Sequence, residues 1–255
     1  MNRYFLELAY YGRNYHGWQR QPKAVSIQEI LEERMGLLLG IPVSLTAAGR
    51  TDAGVHAKQT FAHFDVPGPI DTEWFQRRLN AFLPHDIAVR NIHAVRPNAH
   101  ARYDALSRTY RYIIVTRKDP FMWDRAWYIR EKPDIAKMQK AADILLRYED
   151  FESFSKVKTD VKTFLCHIHE ARWEIKDERL EFIITANRFL RNMVRAIVGT
   201  LMDVGTGKYP PEKLHEIIAA KDRTAAGPSA PAKGLYLESV SYPPEIFLNE
   251  SDKLH

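Results

Sequence analysis

The sequence predicts an α+β fold built from two halves, and three observations support this prediction. Residues 3–10 carry an apolar or aromatic side chain at every second position from Tyr4 to Tyr10, which is typical of a strand. Strand and helix signals then follow in the order βαββαβ over the first hundred residues. After Pro97 the same order returns loosely, although the sequence itself does not repeat.

In the first half, local signals mark where the helices begin and end. Ser26 and Glu29 form a capping-box pattern at the start of a helix, and Gly40 ends it. Asp71 is expected to cap a second helix, which Pro84 closes. The remaining elements of this half are predicted strands at 43–48, 59–66 and 87–95.

The second half is also mixed. Its predicted strands are 107–115, 127–129, 165–175, 180–186 and 235–242, and its predicted helices are 134–146, 187–204 and 211–220. The Pro/Ala/Gly-rich stretch 224–234 is expected to be a loop, because a short strand must still dock after it. We therefore expect two ferredoxin-like halves, residues 1–100 and 101–255, with antiparallel sheets, helices on one side and a cleft between the halves.

Composition narrows the class of protein. No run approaches the ~18 apolar residues of a membrane helix, and the start of the chain lacks a signal-peptide core, so we expect a cytoplasmic protein. The single cysteine, Cys166, excludes an internal disulfide and every zinc site that needs two thiolates. A net charge of +5 and a pI near 9.2 suit a polyanionic partner without requiring one.

The most unusual local segment is residues 48–57, in which a glycine flanks Arg50-Thr51-Asp52 on each side. Such a loop can present Asp52 and Arg50 at the edge of a sheet. It can equally be a β-turn in which the aspartate bonds its own backbone, and spacing alone favours the turn.

The nine residues from Gly49 to Ala57 resemble, nearly letter for letter, the catalytic motif of the tRNA pseudouridine synthase A family. Further matching segments occur in the family's order at 11–12, 17–19, 107–112, 189–190, 193–195 and 234–237. One departure is Tyr11, where the family usually has an aspartate. We expect it to affect local packing or RNA contacts rather than the chemistry.

The resemblance implies isomerisation of uridine to pseudouridine at positions 38, 39 and 40 in the anticodon stem-loop of tRNA, by a homodimer that needs no metal or organic cofactor. In that comparison Asp52 takes the position of the catalytic carboxylate and Tyr110 that of the tyrosine against the target base. Arg195 matches the basic partner of the aspartate, and Arg50 matches a residue that helps to turn the base out. Leu235 matches an apolar wall of the pocket.

These residue types suit the reaction. Breaking and remaking the bond between ribose and uracil needs a group that assists cleavage, and a carboxylate can act as nucleophile or base. Whether Asp52 attacks the sugar, attacks the pyrimidine ring or removes a ribose proton stays open. A nearby arginine such as Arg195 favours the charged form of a carboxylate, and an aromatic surface such as Tyr110 can receive an unstacked base.

Arg188, Arg191 and Arg195 have the spacing of one helix face, which on the residues alone indicates a solvated face. With the resemblance, we expect this face to line the cleft, with Arg195 on Asp52 and the other two on phosphates.

Two rival functions remain at this point. The first is a non-catalytic RNA-binding module of ferredoxin-like type. The second is a metal-dependent hydrolase using Asp52 and His56. No cofactor is expected: the Gly205–Lys208 segment lacks the rest of a phosphate-loop pattern, and His167 with His169 lacks a third metal ligand.

Overall fold

The computed structural model describes residues 1–157 and 161–248. Within them the chain is an α+β protein whose strands pair mostly antiparallel, which confirms the predicted fold class. The strands are β1 (Asn2–Tyr10), β2 (Thr46–Ala47), β3 (His56–Val66), β4 (Ile87–Ala94), β5 (Ser107–Val115), β6 (Trp127–Tyr128), β7 (Ile168–Lys176), β8 (Arg179–Ala186) and β9 (Leu235–Ser241). The α-helices are α1 (Ile27–Leu39), α2 (Thr72–Phe82), α3 (Ile135–Leu145), α4 (Met193–Gly205) and α5 (Lys213–Ala219).

The described chain forms two compact units. One contains Met1–Leu106 together with the residues from Leu237 onward, and the other contains Ser107–Tyr236. Among the described residues, no helix is long and apolar enough to cross a membrane.

In the first unit, β1 pairs antiparallel with β3 on one edge and with β4 on the other. The short β2 and the later strand β9 also pair with β3.

The two helices of this unit start directly after the residues that the sequence predicts as caps. Ser26 Oγ accepts a hydrogen bond from the Glu29 amide at 3.3 Å, and Asp71 Oδ1 accepts one from the Trp74 amide at 2.9 Å. Gly40 ends α1 with a φ of 68°.

Both faces of this sheet are covered. On one face, Phe64 of β3 lies 6.3 Å from Phe75 of α2, measured between ring centroids. On the opposite face, Phe5 of β1 packs edge-on against Tyr242 at 5.2 Å and Phe247 at 6.1 Å. The helix-free side of the sheet is therefore buried under the segment that follows β9.

In the second unit, β8 pairs antiparallel with both β5 and β7, and β6 adds a short parallel pairing to β5. Asp134 caps α3 by accepting a hydrogen bond from the Lys137 amide at 3.0 Å. Helix α4 is buried along nearly all of its length.

The prediction for the start of α4 is wrong. The helix was expected from Asn187 but begins at Met193, because Asn192 has a φ of 67°, in the left-handed region that a right-handed helix does not use. Arg188 and Arg191 consequently precede the helix, and the expected helical face shared by three arginines does not form.

Three strands also start three residues away from their predicted starts. The strand expected at 43–48 is reduced to Thr46–Ala47. Strand β3 begins at His56, three residues earlier than expected. Strand β7 begins at Ile168, three residues later than expected, and Leu165 makes an isolated bridge to Asp150 instead.

Candidate active site

Asp52 lies in the loop between β2 and β3, which we call the Asp52 loop (residues 48–55). Its side chain is half-buried, whereas Arg50 is exposed. The Val55 amide donates to the Asp52 carbonyl at 3.1 Å, and Gly54 has a φ of 76°, so residues 52–55 form a tight turn that needs a glycine at its third position. A β-turn is therefore present at residues 52–55.

The backbone of the Asp52 loop is held from both sides by the segment that follows β1. The Trp18 amide donates to the Thr51 carbonyl, and the Gly54 amide donates to the Tyr15 carbonyl, each at 3.2 Å. The buried hydroxyls of Tyr10 and Thr51 are 2.8 Å apart. Asp52 thus sits between two anchored positions of the chain.

Two glycines allow this close approach. A β-carbon added to Gly12 would stand 1.9 Å from the Val55 carbonyl oxygen. One added to Gly17, whose φ is 86°, would stand 2.3 Å from the Thr51 carbonyl oxygen. Both distances are far inside van der Waals contact, so only glycine fits at these positions. The segments around Tyr11 and Trp18, which carry the resemblance near the start of the chain, are therefore the ones that pack on the loop.

His56 follows the Asp52 loop and is buried. Its Nδ1 accepts a hydrogen bond from the Gly12 amide at 3.0 Å, and its ring stacks on Tyr11 at 4.5 Å with an angle of 6° between the planes. His56 therefore packs as a structural residue beneath the loop. Among the described residues, no group of three or more His, Cys, Asp or Glu side chains could hold a metal ion.

Tyr15 gives the same segment a second anchor. Its hydroxyl donates to Asp86 Oδ1 at 2.5 Å. Burial, as the larger cause, and the Asp86 carboxylate, as the smaller cause, raise the pKa of the Tyr15 hydroxyl well above its usual range. The phenol therefore remains a neutral donor. Neither this contact nor the stack of Tyr11 on His56 could be read from the sequence, because each joins segments more than forty residues apart.

The second unit carries Tyr110, Arg195 and Leu235. Tyr110 lies in β5 opposite Ile184 of β8, is half-buried, and meets Phe189 edge-to-face at 5.1 Å. Phe189 belongs to a segment that carries the resemblance, but no role was predicted for it. The contact restricts the Tyr110 ring while leaving part of its surface open.

Arg195 is half-buried in the first turn of α4. Its Nε donates to the Ala230 carbonyl at 2.7 Å, and the Ala230 amide donates back to the Arg195 carbonyl at 2.9 Å. Of its two expected companions, Arg188 is half-buried and Arg191 is exposed, and both lie before the helix.

Tyr112 of β5 contacts the segment that immediately precedes Leu235. Its hydroxyl donates to the Pro231 carbonyl at 2.8 Å, and a β-carbon added to Gly234 would stand 2.7 Å from its ring. Burial raises the pKa of Tyr112 far above its usual range, opposed by the positive charge of Arg195. Leu235, next to Gly234, is buried at the start of β9. Tyr112 shares a strand face with Tyr110, which was the signal available in the sequence.

The two segments rejected as cofactor or metal sites have other roles in the fold. Gly205 ends α4, Gly207 follows with a φ of 80°, and Lys208 pairs with Asp203 at 2.9 Å, so this segment closes a helix rather than opening one around a phosphate. His167 is exposed and lies 3.5 Å from Glu149.

Comparisons with known proteins identify relatives of the whole chain. A family model described as tRNA pseudouridine synthase matches residues 8–104 and 141–243. A protein of Parabacteroides distasonis named tRNA pseudouridine synthase A is 48% identical over 97% of this chain and 98% of its own length. Proteins of the same name from Bacteroides thetaiotaomicron and Chlamydia trachomatis are 48% and 41% identical over 99% and 94% of this chain, and over 95% and 91% of their own lengths.

Proposed function

The chain belongs to the tRNA pseudouridine synthase family, and from that membership we propose that it converts uridine to pseudouridine at positions 38, 39 and 40 of the anticodon stem-loop. The reaction class is isomerisation of a nucleotide within tRNA. The bond between the ribose C1′ and the uracil N1 breaks, the base turns, and C1′ rejoins to C5. The proton leaves C5 and N1 gains one, so the atoms balance without an added reactant.

We assign the reacting carboxylate to Asp52, as nucleophile or base. The observation that carries this assignment is the Asp52 loop itself: its sequence resembles the family's catalytic motif, and Thr51 and Gly54 are each hydrogen-bonded to the chain between Tyr15 and Trp18. A reacting group has to be held close to its productive geometry by a rigid surrounding shell. The anchored backbone on each side of the half-buried Asp52 supports this assignment.

The remaining residues are assigned to binding of the target uracil and to the positive charge that assists Asp52. Tyr110 offers a partly open ring, restrained by Phe189, against which an unstacked uracil can lie. We propose Arg195 as the positive charge that favours the ionised form of the Asp52 carboxylate, and Arg50 as the residue that helps to turn the base out of its stack. Leu235 is assigned to the apolar wall of the uracil pocket.

We further propose that residues 1–100 and 101–255 act as one catalytic unit and that the enzyme works as a cytoplasmic homodimer. Sedimentation of the purified protein tests the dimer. A species of one subunit at the concentrations where turnover is measured would contradict it.

The decisive experiment compares Asp52→Asn with Asp177→Asn. Each protein is incubated with an unmodified tRNA transcript, and pseudouridine is mapped chemically along the RNA. Asp177 is exposed and has a φ of 48°, a conformation that asparagine tolerates well, so its variant is a matched isosteric control. We expect Asp52→Asn to bind tRNA but form no product, and the control to act as wild type.

Three outcomes would contradict the proposal in different ways. A tenth or more of wild-type turnover in Asp52→Asn would remove the aspartate from its role. Product outside positions 38, 39 and 40 would overturn the choice of substrate site. Loss of turnover on chelation, with the RNA fold checked independently, would favour metal-dependent chemistry instead.

A further inference from the structure

The loop between α5 and β9 is hydrogen-bonded to the first two turns of α4, and one of these contacts is with Arg195. We call residues 226–231 the clamp loop. Ala230 exchanges two hydrogen bonds with Arg195, and the Pro231 carbonyl accepts a bond from the Tyr112 hydroxyl. The Gly227 amide donates to Thr200 Oγ1 at 2.9 Å, one turn further along α4.

Two glycines allow the clamp loop to lie close to α4. A β-carbon added to Gly199 would stand 1.6 Å from the Pro228 carbonyl oxygen, and one added to Gly227 would stand 2.9 Å from the Thr200 α-carbon. The loop backbone therefore lies directly on the helix backbone. A displacement of the loop would move the Ala230 carbonyl, which is the hydrogen-bond acceptor that orients the Arg195 guanidinium.

Arg223 holds the other side of the clamp loop. Its Nη1 donates to the carbonyls of Ala226 at 3.4 Å and Gly227 at 3.0 Å, and its Nη2 donates to Ser229 Oγ at 3.0 Å. All three acceptors are uncharged. The half-buried guanidinium thus donates several hydrogen bonds to the loop from one planar group.

Ser229 connects this guanidinium to the helix start. Its hydroxyl oxygen lies 2.6 Å from Asn192 Nδ2 as well as 3.0 Å from Arg223 Nη2. Asn192 is the residue with positive φ immediately before α4. A chain of hydrogen bonds therefore runs from Arg223 through Ser229 to Asn192, beside the direct contacts between Ala230 and Arg195.

We propose that Arg223 is a positioning residue for the isomerisation: it fixes the clamp loop so that Ala230 holds the Arg195 guanidinium in its productive orientation. This inference rests on the role proposed above for Arg195. A misplacement of about 1 Å in catalytic geometry can cost on the order of 100-fold in rate. Arg223 therefore acts on the rate of the bound complex rather than on tRNA affinity.

The test measures single-turnover rates with enzyme in excess over tRNA, together with tRNA affinity and melting temperature. We expect Arg223→Ala to lower the rate by roughly 10- to 100-fold with affinity nearly unchanged. Arg223→Lys keeps the charge but loses the planar fork, so it should recover only part of the rate. Arg147→Ala, an exposed arginine of the same unit, is the control and should match wild type.

A double-mutant cycle separates positioning from a purely structural role. In an Arg195→Ala background, Arg223→Ala should cause no further loss of rate, because the group that it positions is gone, while its effect on melting temperature should persist. Ser229→Ala removes one hydroxyl from the hydrogen-bond chain and should show the same pattern in weaker form, which keeps the test available if Arg223→Ala fails to fold.

The outcomes also distinguish this inference from the function on which it rests. If Arg195→Ala reacts like wild type, the role of Arg195 is wrong and the inference fails with it. If Arg195→Ala is impaired but Arg223→Ala lowers the rate equally in both backgrounds, Arg195 keeps its role and Arg223 does not position it. A wild-type single-turnover rate in Arg223→Lys would also contradict the proposal, because lysine lacks the planar guanidinium.

Discussion

Gly17 lies so close to Thr51 that a β-carbon on it would stand 2.3 Å from the Thr51 carbonyl oxygen. The same glycine has a φ of 86°, and the residue after it donates to that carbonyl. The backbone beside Asp52 is thus set by a contact that no residue with a side chain can make.

Gly17→Ala should therefore destabilise the protein more than a positive φ alone requires. Gly40→Ala is the matched control, because Gly40 has a φ of 68° and nothing within 4 Å of an added β-carbon. The control should cost about 1–2 kcal/mol from the left-handed backbone, whereas Gly17→Ala should exceed it by a further ~2 kcal/mol or more through the clash. Urea unfolding of both variants measures this difference. Equal losses in the free energy of unfolding would mean that the close approach of Gly17 to Thr51 adds nothing to the cost of Gly17→Ala.

The contrast between α3 and α4 shows where the sequence was sufficient. Asp134 caps α3 through the amide of Lys137, three residues away, and such a local signal can be read directly. The start of α4 was misplaced because apolar periodicity continues back through Leu190, while the positive φ of Asn192 interrupts the helix. Periodicity reports which side chains are buried, not which backbone is helical.

The candidate site shows a similar limit. Residue types that match family motifs predict a site made of Asp52, Arg50, Tyr110, Arg195 and Leu235. The groups that hold them, such as the Tyr15 carbonyl on Gly54 and the Ala230 carbonyl on Arg195, are backbone atoms. Any residue type supplies a carbonyl, so these contacts leave no mark in composition or spacing.

His63 should make the stability of the protein fall as the pH is lowered. Burial, as the larger cause, and the charge of Arg3, as a smaller one, lower the pKa of His63 to about 4 from its ordinary 6.5. The Nδ1 atom of His63 accepts a hydrogen bond from the Ala101 amide at 3.1 Å. The unfolded chain therefore binds a proton on this histidine at a higher pH than the folded protein does. The contribution of His63 to the free energy of unfolding is fully present above about pH 6.5. This contribution is lost as the pH falls towards 4, by up to roughly 3 kcal/mol.

The check is the free energy of unfolding in urea at several pH values between about 7 and 4.5. His63→Gln can still accept from the Ala101 amide but does not titrate, so it should show a shallower dependence on pH than wild type. His85→Gln replaces an exposed histidine and should keep the wild-type slope. If His63→Gln and His85→Gln have the same slope, His63 is not a source of the acid sensitivity.

Binding of tRNA should weaken steeply with salt. Each phosphate neutralised by the protein lowers log K by roughly 0.7 to 0.9 per decade of salt concentration, because condensed counterions are released. Arg191 is exposed in the segment before α4, and Arg191→Ala should reduce the slope by about one contact without changing turnover at saturating tRNA. Filter binding across a salt series gives the slope. A flat profile for the wild type would count against phosphate recognition altogether.

Arg195 carries the sharpest expectation for activity. Arg195→Ala removes both the charge and the Nε donor to the Ala230 carbonyl, which lies 2.7 Å away. Because we propose this guanidinium as the charge that assists Asp52, and removal of one electrostatic stabilising group typically costs roughly 100- to 1,000-fold in turnover, turnover at saturating tRNA should fall by about that much. Arg195→Lys keeps the charge without the planar geometry and should retain partial activity.

Arg188→Ala is the matched control, because Arg188 is also half-buried but precedes α4. It should chiefly weaken tRNA binding, with turnover at saturation close to wild type. Melting temperatures of all three variants are needed, since loss of the contact between Arg195 and Ala230 also loosens the clamp loop. A folded Arg195→Ala protein with wild-type turnover would show that the guanidinium serves only to fasten that loop to α4, and the charge that assists Asp52 would then have to come from another residue.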